Sequence, residues 1–347
     1  MTRVSRLTGR FLFLAAIMKP ARRRFLQLAA GAAALPALSR LAWAQSYPTR
    51  PITIIVPFAA GGGTDVPARI VGEHMSRTLG QQIVVQNVVG AGGTVGSTRV
   101  MRADPDGYTI EMGQMGTHAA AVALYPNLAY KPDVDFEPIG LVSSYAVMIV
   151  ARKDLPPNDL KEFVAFLKAN SDKLNMAHAG VGSIFFTTGL LLNSILGVKP
   201  ALVPFNGGAP AMNALMSGQV DYTCSDVLNS APQLRAGTIK AFAIAAGKRS
   251  QMLPNVPTTA EAGLPEFQAS AWNALFAPKS TPKPILDKLA EALDRALNDE
   301  STRKRLSELA QDIPDKSQRG QDALRALVKS EIARWTPIIR AANVKLD

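Results

Sequence analysis

From residue 51 to residue 342, short apolar runs rich in β-branched residues alternate with helical patterns, and glycine loops stand at several of the junctions. This alternation constrains the fold more than any other feature. Strands separated by helices pack as sheets layered with helices, the strands running parallel, which makes the chain α/β. Residues 51–58 (PITIIVPF) form the first strand, a continuous apolar run bounded by proline and glycine, as in a strand buried on both faces. A glycine loop at 59–65 and a helix over 66–79 follow. The next strand is expected at 82–87, then a glycine loop at 90–96, a helix at 97–103 and a third strand at 108–113. Further strands are expected at 139–142, 146–151, 174–177, 201–205, 222–224, 241–246 and 271–277. Helices are expected at 160–169, 184–196, 209–217, 231–236, 283–297, 301–310 and 320–342.

Two stretches echo one another: residues 146–168 and 273–293 each read as an apolar strand, a charged proline-rich turn and an amphipathic helix. Two such units imply two lobes. A chain that leaves its first lobe near Ala146 and returns near Ala245 builds lobe 1 from residues 45–145 plus 245–347 and lobe 2 from residues 146–244. Two crossing segments then join the lobes, making a hinge and a cleft.

The 347 residues are 47% hydrophobic and 19% charged, too apolar for a disordered chain and long enough for about two domains. A net charge of +11 suggests nucleic acid until it is located. Arg3, Arg6, Arg10, Lys19, Arg22, Arg23, Arg24 and Arg40 lie in residues 1–44 without an acid, leaving 30 basic and 27 acidic residues for the rest. That near-balance has no large positive field for a phosphate backbone, so no nucleic-acid partner is expected. A single cysteine, Cys224, excludes an internal disulfide and a cysteine metal cluster, and reads as a small buried apolar residue. His74, His118 and His178 form no closely spaced pair, so neither a metal site nor a cofactor is expected.

The basic N-terminus has the form of an export signal. Arg22-Arg23-Arg24-Phe25-Leu26 opens an apolar stretch reaching about residue 38, and Ala42-Trp43-Ala44 sets small residues before a cut at Gln45. The stretch is too short to span a bilayer, and its arginine pair resembles a twin-arginine signal.

The loop from Phe58 through Ala59, Gly61 and Gly62 to Asp65 lets backbone N–H groups approach a ligand at a helix start, where carboxylates and phosphates bind. Its plainer role is a tight turn with Asp65 as helix cap. The glycines at 90–96 invite a dinucleotide reading, but their spacing is wrong and close packing at a helix start suffices. Gly180-Val181-Gly182-Ser183 lacks the spacing of a nucleophile elbow; Ser183 is a helix cap, a ligand contact or both. His118 is either a structural histidine or a ligand contact, and Asp226 either caps a helix or faces the cleft. No nucleophile with its base is legible, so no catalytic residue is assigned.

Six motifs in order carry a family resemblance: Tyr47-Pro48 with Pro51-Ile52, VPFAAGGGTDVPAR (56–69), GAGGTVGS (90–97), DPDGYT (104–109), VPFNGGAPAMNALMSGQVD (203–221) and LPNVPTTAEAGLPEF (253–267). The chain from about Tyr47 onward resembles the Bug-type extracytoplasmic solute receptors of tripartite tricarboxylate transporters. The resemblance implies a two-lobed type II periplasmic-binding-protein fold that closes on a small carboxylate, a di- or tricarboxylate or an aromatic acid. It also implies a periplasmic location, a monomer, and delivery to a membrane permease, with a signalling sensor or an exported hydrolase using His118 and Asp226 as rivals. Matched by position, the implied ligand residues are Phe58, Gly61, Gly62, Asp65, Thr117, His118, Gly182, Ser183, Phe205, Gly207, Gly208 and Asp226, with Asn206 beside them. Two positions depart from the family: Ala59 stands where proline is common, and Phe186 where histidine is frequent. Phe186 is either core or, facing the cleft, a reason to expect an apolar or aromatic ligand.

Overall fold

The computed structural model describes residues 47–342. The export-signal reading, its twin-arginine pair and its cut at Gln45 lie outside the described residues.

The strands are β1 (Ile52–Val56), β2 (Ile83–Asn87), β3 (Thr109–Gln114), β4 (Phe136–Arg152), β5 (Asn175–His178), β6 (Ala201–Pro204), β7 (Tyr222–Asp226), β8 (Ile239–Ile244) and β9 (Ser270–Pro278). The helices are α1 (Asp65–Leu79), α2 (Thr94–Met101), α3 (Ala121–Leu124), α4 (Leu160–Asn170), α5 (Ile184–Leu196), α6 (Gly208–Met216), α7 (Val227–Arg235), α8 (Lys283–Asn298), α9 (Glu300–Glu308) and α10 (Gln321–Ala341). Most expected elements fall within a few residues of these bounds. Three expectations need correction. The strands expected at 139–142 and 146–151 are one 17-residue strand, β4, whose irregularities appear as register shifts against β9 and not as a break. Helix α7 starts at Val227, four residues earlier than its pattern suggests, because Asp226 caps it. A π-helical turn, Gly116–Ala120, leads into α3 where no helix was expected.

The sheets are mixed, not parallel. Pairs β1–β2, β1–β3, β5–β6 and β5–β7 are parallel, whereas β3–β9, β4–β9, β4–β7 and β4–β8 are antiparallel. The strand orders are β2-β1-β3-β9-β4 and β6-β5-β7-β4-β8, so each sheet sets three parallel strands beside a crossing pair. The reversal comes from β4 and β9. Strand β4 pairs with β9 up to Ala146 and with β7 and β8 from Val147 onward, passing from one sheet into the other. Three chain segments lie side by side there: Ala245 N–H donates to Val147 O (2.7 Å), and Ala269 N–H to Ala245 O (3.3 Å). A fourth joins them where Ser144 and Asp312 exchange backbone hydrogen bonds of 2.9 and 2.7 Å.

Helices cover both faces, as continuous apolar strands such as β1 and the inner half of β4 require. Helix α10 packs on β4, on the π-helical turn and on α5, so its buried Trp335 belongs to an apolar cluster that runs unbroken from Ile55 and Phe136 to Phe163 and Tyr222. Cys224 is fully buried there, and burial pushes its thiol up to about 12, in line with an apolar role. At the second-sheet end Phe163 stacks on Phe242 (4.5 Å) and meets Tyr222 edge-on (5.4 Å). Removing that ring leaves a cavity that surrounding strands are too constrained to fill. Phe163→Ala is expected to cost about 3–5 kcal/mol of unfolding free energy, measured by urea titration.

Candidate functional site

The C-terminal ends of parallel strands in α/β sheets are where loops turn into helices, and ligands bind at such edges. Here one cavity of about 130 Å³ lies among such loops from both sheets. Phe58, Ala59, Gly62, Ser183, Gly207, Gly208 and Asp226 line it, together with Gly63, Thr64, Gln114, Tyr145, Ala179, Ile184, Phe185 and Asn229. Four helix starts face it: α1 behind Thr64, α5 behind Ser183, α6 behind Gly207 and α7 behind Asp226. No side chain caps α1 or α6; at α1 Val66 N–H donates to Gly62 O (3.1 Å) and Pro67 has no N–H, and in α6 Pro210 has none, so the first-turn donors for another acceptor come down to Asp65 N–H at α1 and Gly208 and Ala209 N–H at α6. Ser183 Oγ accepts from Phe186 N–H (3.2 Å), and Asp226 Oδ1 from Asn229 N–H (2.7 Å). Both residues therefore cap a helix and line the cavity at once. Among the described residues lining it there is no lysine, arginine or histidine.

The surrounding structure holds these loops in place. Asn273 on β9 donates through Nδ2 to Gly63 O (2.9 Å) and lies 3.3 Å from Ser143 Oγ. Ser143 in turn donates to buried Gln311 Oε1 (2.7 Å), so the glycine loop is tied to the crossing strand and to the segment ending at Asp312. Tyr145 lies against Gly63, and burial, reinforced by the charge of Asp226, raises its phenol well above the usual range. Asp226 is pushed up by burial and pulled back by the Asn229 hydrogen bonds, with a net rise.

Several sequence-nominated residues are elsewhere. Asp65 is buried and does not line the cavity. Arg69 grips both its oxygens (2.9 and 3.0 Å), while Gly61 N–H and Asn87 Nδ2 each donate to it at 2.9 Å. Burial raises this carboxyl, but the Arg69, Gly61 and Asn87 hydrogen bonds outweigh burial and hold it below its usual range. It braces the loop from behind, and Gly61, spent on that brace, is exposed outside the cavity. Asn206 is exposed, and Phe205 packs against the second-sheet core, donating its N–H to His178 O (2.9 Å). Phe186 is 1% exposed and packs against His178 (4.8 Å between ring centres), so it is core, and the reason for expecting an aromatic ligand goes with it. Phe185, its neighbour, lines the cavity instead.

Thr117 and His118 are fully buried beneath the first sheet. Thr117 Oγ donates to Gln114 O (3.1 Å), and His118 stacks on Phe276 (3.9 Å). The hydrolase pair His118 and Asp226 therefore share no cavity. The glycines at 90–96 pack closely: Gly92 and Gly93 have φ of 62° and 95°, and a Cβ on Gly92 would overlap Val181 O. Tyr145, Gln114 and Asn229 went unnamed in the sequence. Each had a signal: Gln114 ends the third strand, Asn229 stands three residues after a capping aspartate, and Tyr145 adjoins the expected crossing point at Ala146.

The cavity has the setting of a type II periplasmic binding protein, two lobes with the ligand cleft between them. The description "Tripartite tricarboxylate transporter family receptor" matches residues 67–344, and the chain belongs to that family. MatC from Rhodopseudomonas palustris, solved with bound malate, is 49% identical with a TM-score of 0.79, over 84% of this chain and 100% of that one. The periplasmic binding protein BugD is 42% identical with a TM-score of 0.79, over 86% and 99%. R. palustris Rpa4515, solved with adipate, is 30% identical with a TM-score of 0.79, over 86% and 98%.

Behind the cavity, His118 faces Glu111, which accepts from Ser97 Oγ (2.6 Å) and whose other oxygen stands 3.9 Å from His118 Nε2. Burial, against the Ser97 hydrogen bond, pushes Glu111 up to about 8, and burial pushes His118 down to about 3. Both are therefore neutral near pH 6. Between the unfolded value of Glu111, near 4.5, and about 8, the folded state keeps a proton that the unfolded state has lost, so stability falls as pH rises. His118 acts in the opposite direction, its contribution being lost as pH falls from 6.5 toward 3. The two slopes cancel between about pH 4.5 and 6.5 and leave a plateau. Between about pH 6.5 and 8, urea titrations should show the wild type losing on the order of 1 kcal/mol per pH unit relative to Glu111→Gln. Parallel pH profiles for the two proteins would exclude Glu111 as the source.

Proposed function

We propose that this chain is an exported, non-enzymatic receptor that captures a small carboxylate in the periplasm and presents it, in a closed form, to a membrane permease. Its lobes are residues 45–145 plus 245–347 and residues 146–244, with β4 and the return to β9 as the crossing segments. The observation that carries this reading is the convergence of four helix starts on one small cavity walled from both sheets. Helix N-termini bind anions through backbone N–H groups and the helix dipole, without a basic side chain. Malate in MatC and adipate in Rpa4515 support a short aliphatic carboxylate as the ligand class. Closure is a population shift, driven by contacts that the ligand makes with both walls only when they meet. The ligand-binding residues assigned are Phe58, Ala59, Gly62, Ser183, Gly207, Gly208 and Asp226, with Gly63, Thr64, Gln114, Tyr145 and Asn229 added.

A ligand that binds only the folded form raises the melting temperature by mass action. Thermal-shift titration of the purified, ligand-stripped protein should show a concentration-dependent rise with one or more aliphatic carboxylates of four to six carbons and none with neutral sugars. A neutral compound released on denaturing the purified protein, with no carboxylate shift, would overturn the reading. Gly63→Val places two methyls beside Tyr145, where a Cβ is in ordinary contact at 3.7 Å, so the fold should survive. Its expected result is at least a tenfold loss of carboxylate affinity by calorimetry with little change in the unliganded melting temperature.

A further inference from the structure

Asparagine precedes glycine once in the chain, at Asn206-Gly207 between β6 and α6. The main-chain nitrogen that follows an asparagine can attack that asparagine's own side-chain amide, and glycine, having no side chain, obstructs the attack least. The structure leaves both groups free to meet. Asn206 is exposed, and among the described residues neither its side chain nor the Gly207 N–H is engaged in a hydrogen bond. Gly207 has φ 116°, and a Cβ added to it would meet nothing within 4 Å, so open space surrounds the pair. The asparagines that precede serine, another small follower, are held instead. Asn170, Asn193 and Asn229 lie in α4, α5 and α7, and their side-chain nitrogens donate to Phe166 O (2.9 Å), Met176 Sδ (3.5 Å) and Asp226 Oδ2 (2.7 Å).

The free pair also adjoins the cavity. Gly207 and Gly208 line it, and α6 begins there without a side-chain cap. Gly208 has little room: a Cβ on it would stand 3.1 Å from Phe185 and 3.5 Å from Asn229, both of which line the cavity as well. A shift of the main chain here therefore moves the wall. A negative charge added here would find no lysine, arginine or histidine among the described lining residues, and Asp226 already supplies one anion.

We propose that Asn206 is a site of spontaneous deamidation, and that its conversion ages the protein by weakening the carboxylate site. The nitrogen of Gly207 gives up its proton and bonds to Cγ of Asn206; the Cγ–Nδ2 bond breaks, and ammonia leaves with a proton. Water then opens the resulting cyclic imide. Cleavage between the nitrogen and Cγ gives aspartate. Cleavage between the nitrogen and the main-chain carbonyl carbon gives isoaspartate, whose chain runs through Cβ and is one atom longer. Either way amide plus water becomes carboxylate plus ammonia. Both products place an anion next to the wall that receives the ligand's carboxylate, and isoaspartate also pushes the lengthened chain toward Gly208. The loss of ligand rests on the carboxylate reading above; the modification does not.

The test separates the two. Purified protein is incubated over days in buffers of rising pH made with oxygen-18 water, then mapped by peptide mass spectrometry. Conversion should come first at residue 206, run faster at higher pH because the attack needs a deprotonated nitrogen, and be absent there in Asn206→Gln, whose longer side chain closes the ring far more slowly. The converted fraction, separated by its added negative charge, is compared with fresh protein by calorimetry, with malate and adipate as probes. It should bind at least about threefold more weakly, Asn206→Asp should follow it in direction, and Asn206→Gln should match the wild type. Conversion at other asparagines before residue 206, or none at 206 when the urea-unfolded chain converts there, would overturn the modification. Conversion with undiminished affinity would overturn the ageing and leave the carboxylate reading standing. If fresh protein binds neither probe nor any other carboxylate, the carboxylate reading fails and the claimed loss of ligand with it, while the mass measurement still decides the modification.

Discussion

The structure depends on one strand that serves two sheets. Strand β4 runs unbroken from Phe136 to Arg152, pairs with β9 over its first part, and from Val147 exchanges that partner for β7 and β8. An interior strand must satisfy its N–H and C=O groups on both sides, so a chain that changes sheets within one strand must bring its other crossing segments to the same place. The Val147–Ala245 and Ala245–Ala269 hydrogen bonds do this. Tyr145, the residue before the change, is thereby held at the floor of the cavity, between the Gly63 loop of one sheet and Asp226 of the other.

The same arrangement accounts for how the site handles charge. A lysine or arginine buried in so small a cavity would need a partner when the ligand is absent, because an unpaired buried charge is costly. Backbone N–H groups at helix starts carry only partial charge and so stand in an empty cavity at lower cost. The charged side chains nearby are turned away from it: Asp65 is clamped by Arg69 and Asn87 behind the first loop, and Glu111 and His118 form a neutral pair beneath the sheet. Asp226 is the exception: it lines the cavity, and its two oxygens accept from Asn229 as the cap of α7.

How much of this was legible in the sequence depended on how local the deciding physics was. Strand β1, helix α1 and the glycine loop between them follow from a β-branched run, three consecutive glycines and a helical pattern, all within thirty residues. The close packing of Gly92 and Gly93 was likewise readable from residue type. Asp65 and Gly61 were nominated as ligand contacts because they belong to the right loop. Which side of that loop faces the cavity depends on Arg69 and Asn87, and Asn87 lies 22 residues away on another strand. His118 and Phe186 lie away from the cavity for a related reason: His118 follows a strand and Phe186 stands in the first turn of a helix, as a ligand residue would, but the chain places an aromatic partner over each, Phe276 and His178 respectively.

The amino-acid sequence by itself determined the α/β class, the order of strands and helices, the glycine loops at helix starts and, through six motifs in order, the family. These are set by turn chemistry, side-chain periodicity and local spacing, which act over a few residues. Only the tertiary structure decided that two expected strands are one, that the sheets are mixed, and that Tyr145, Gln114 and Asn229 join Ser183 and Asp226 around one cavity. Those outcomes depend on contacts between segments as far apart as Gly63 and Asn273, where burial and hydrogen-bond pairing choose among arrangements that local preference leaves equal.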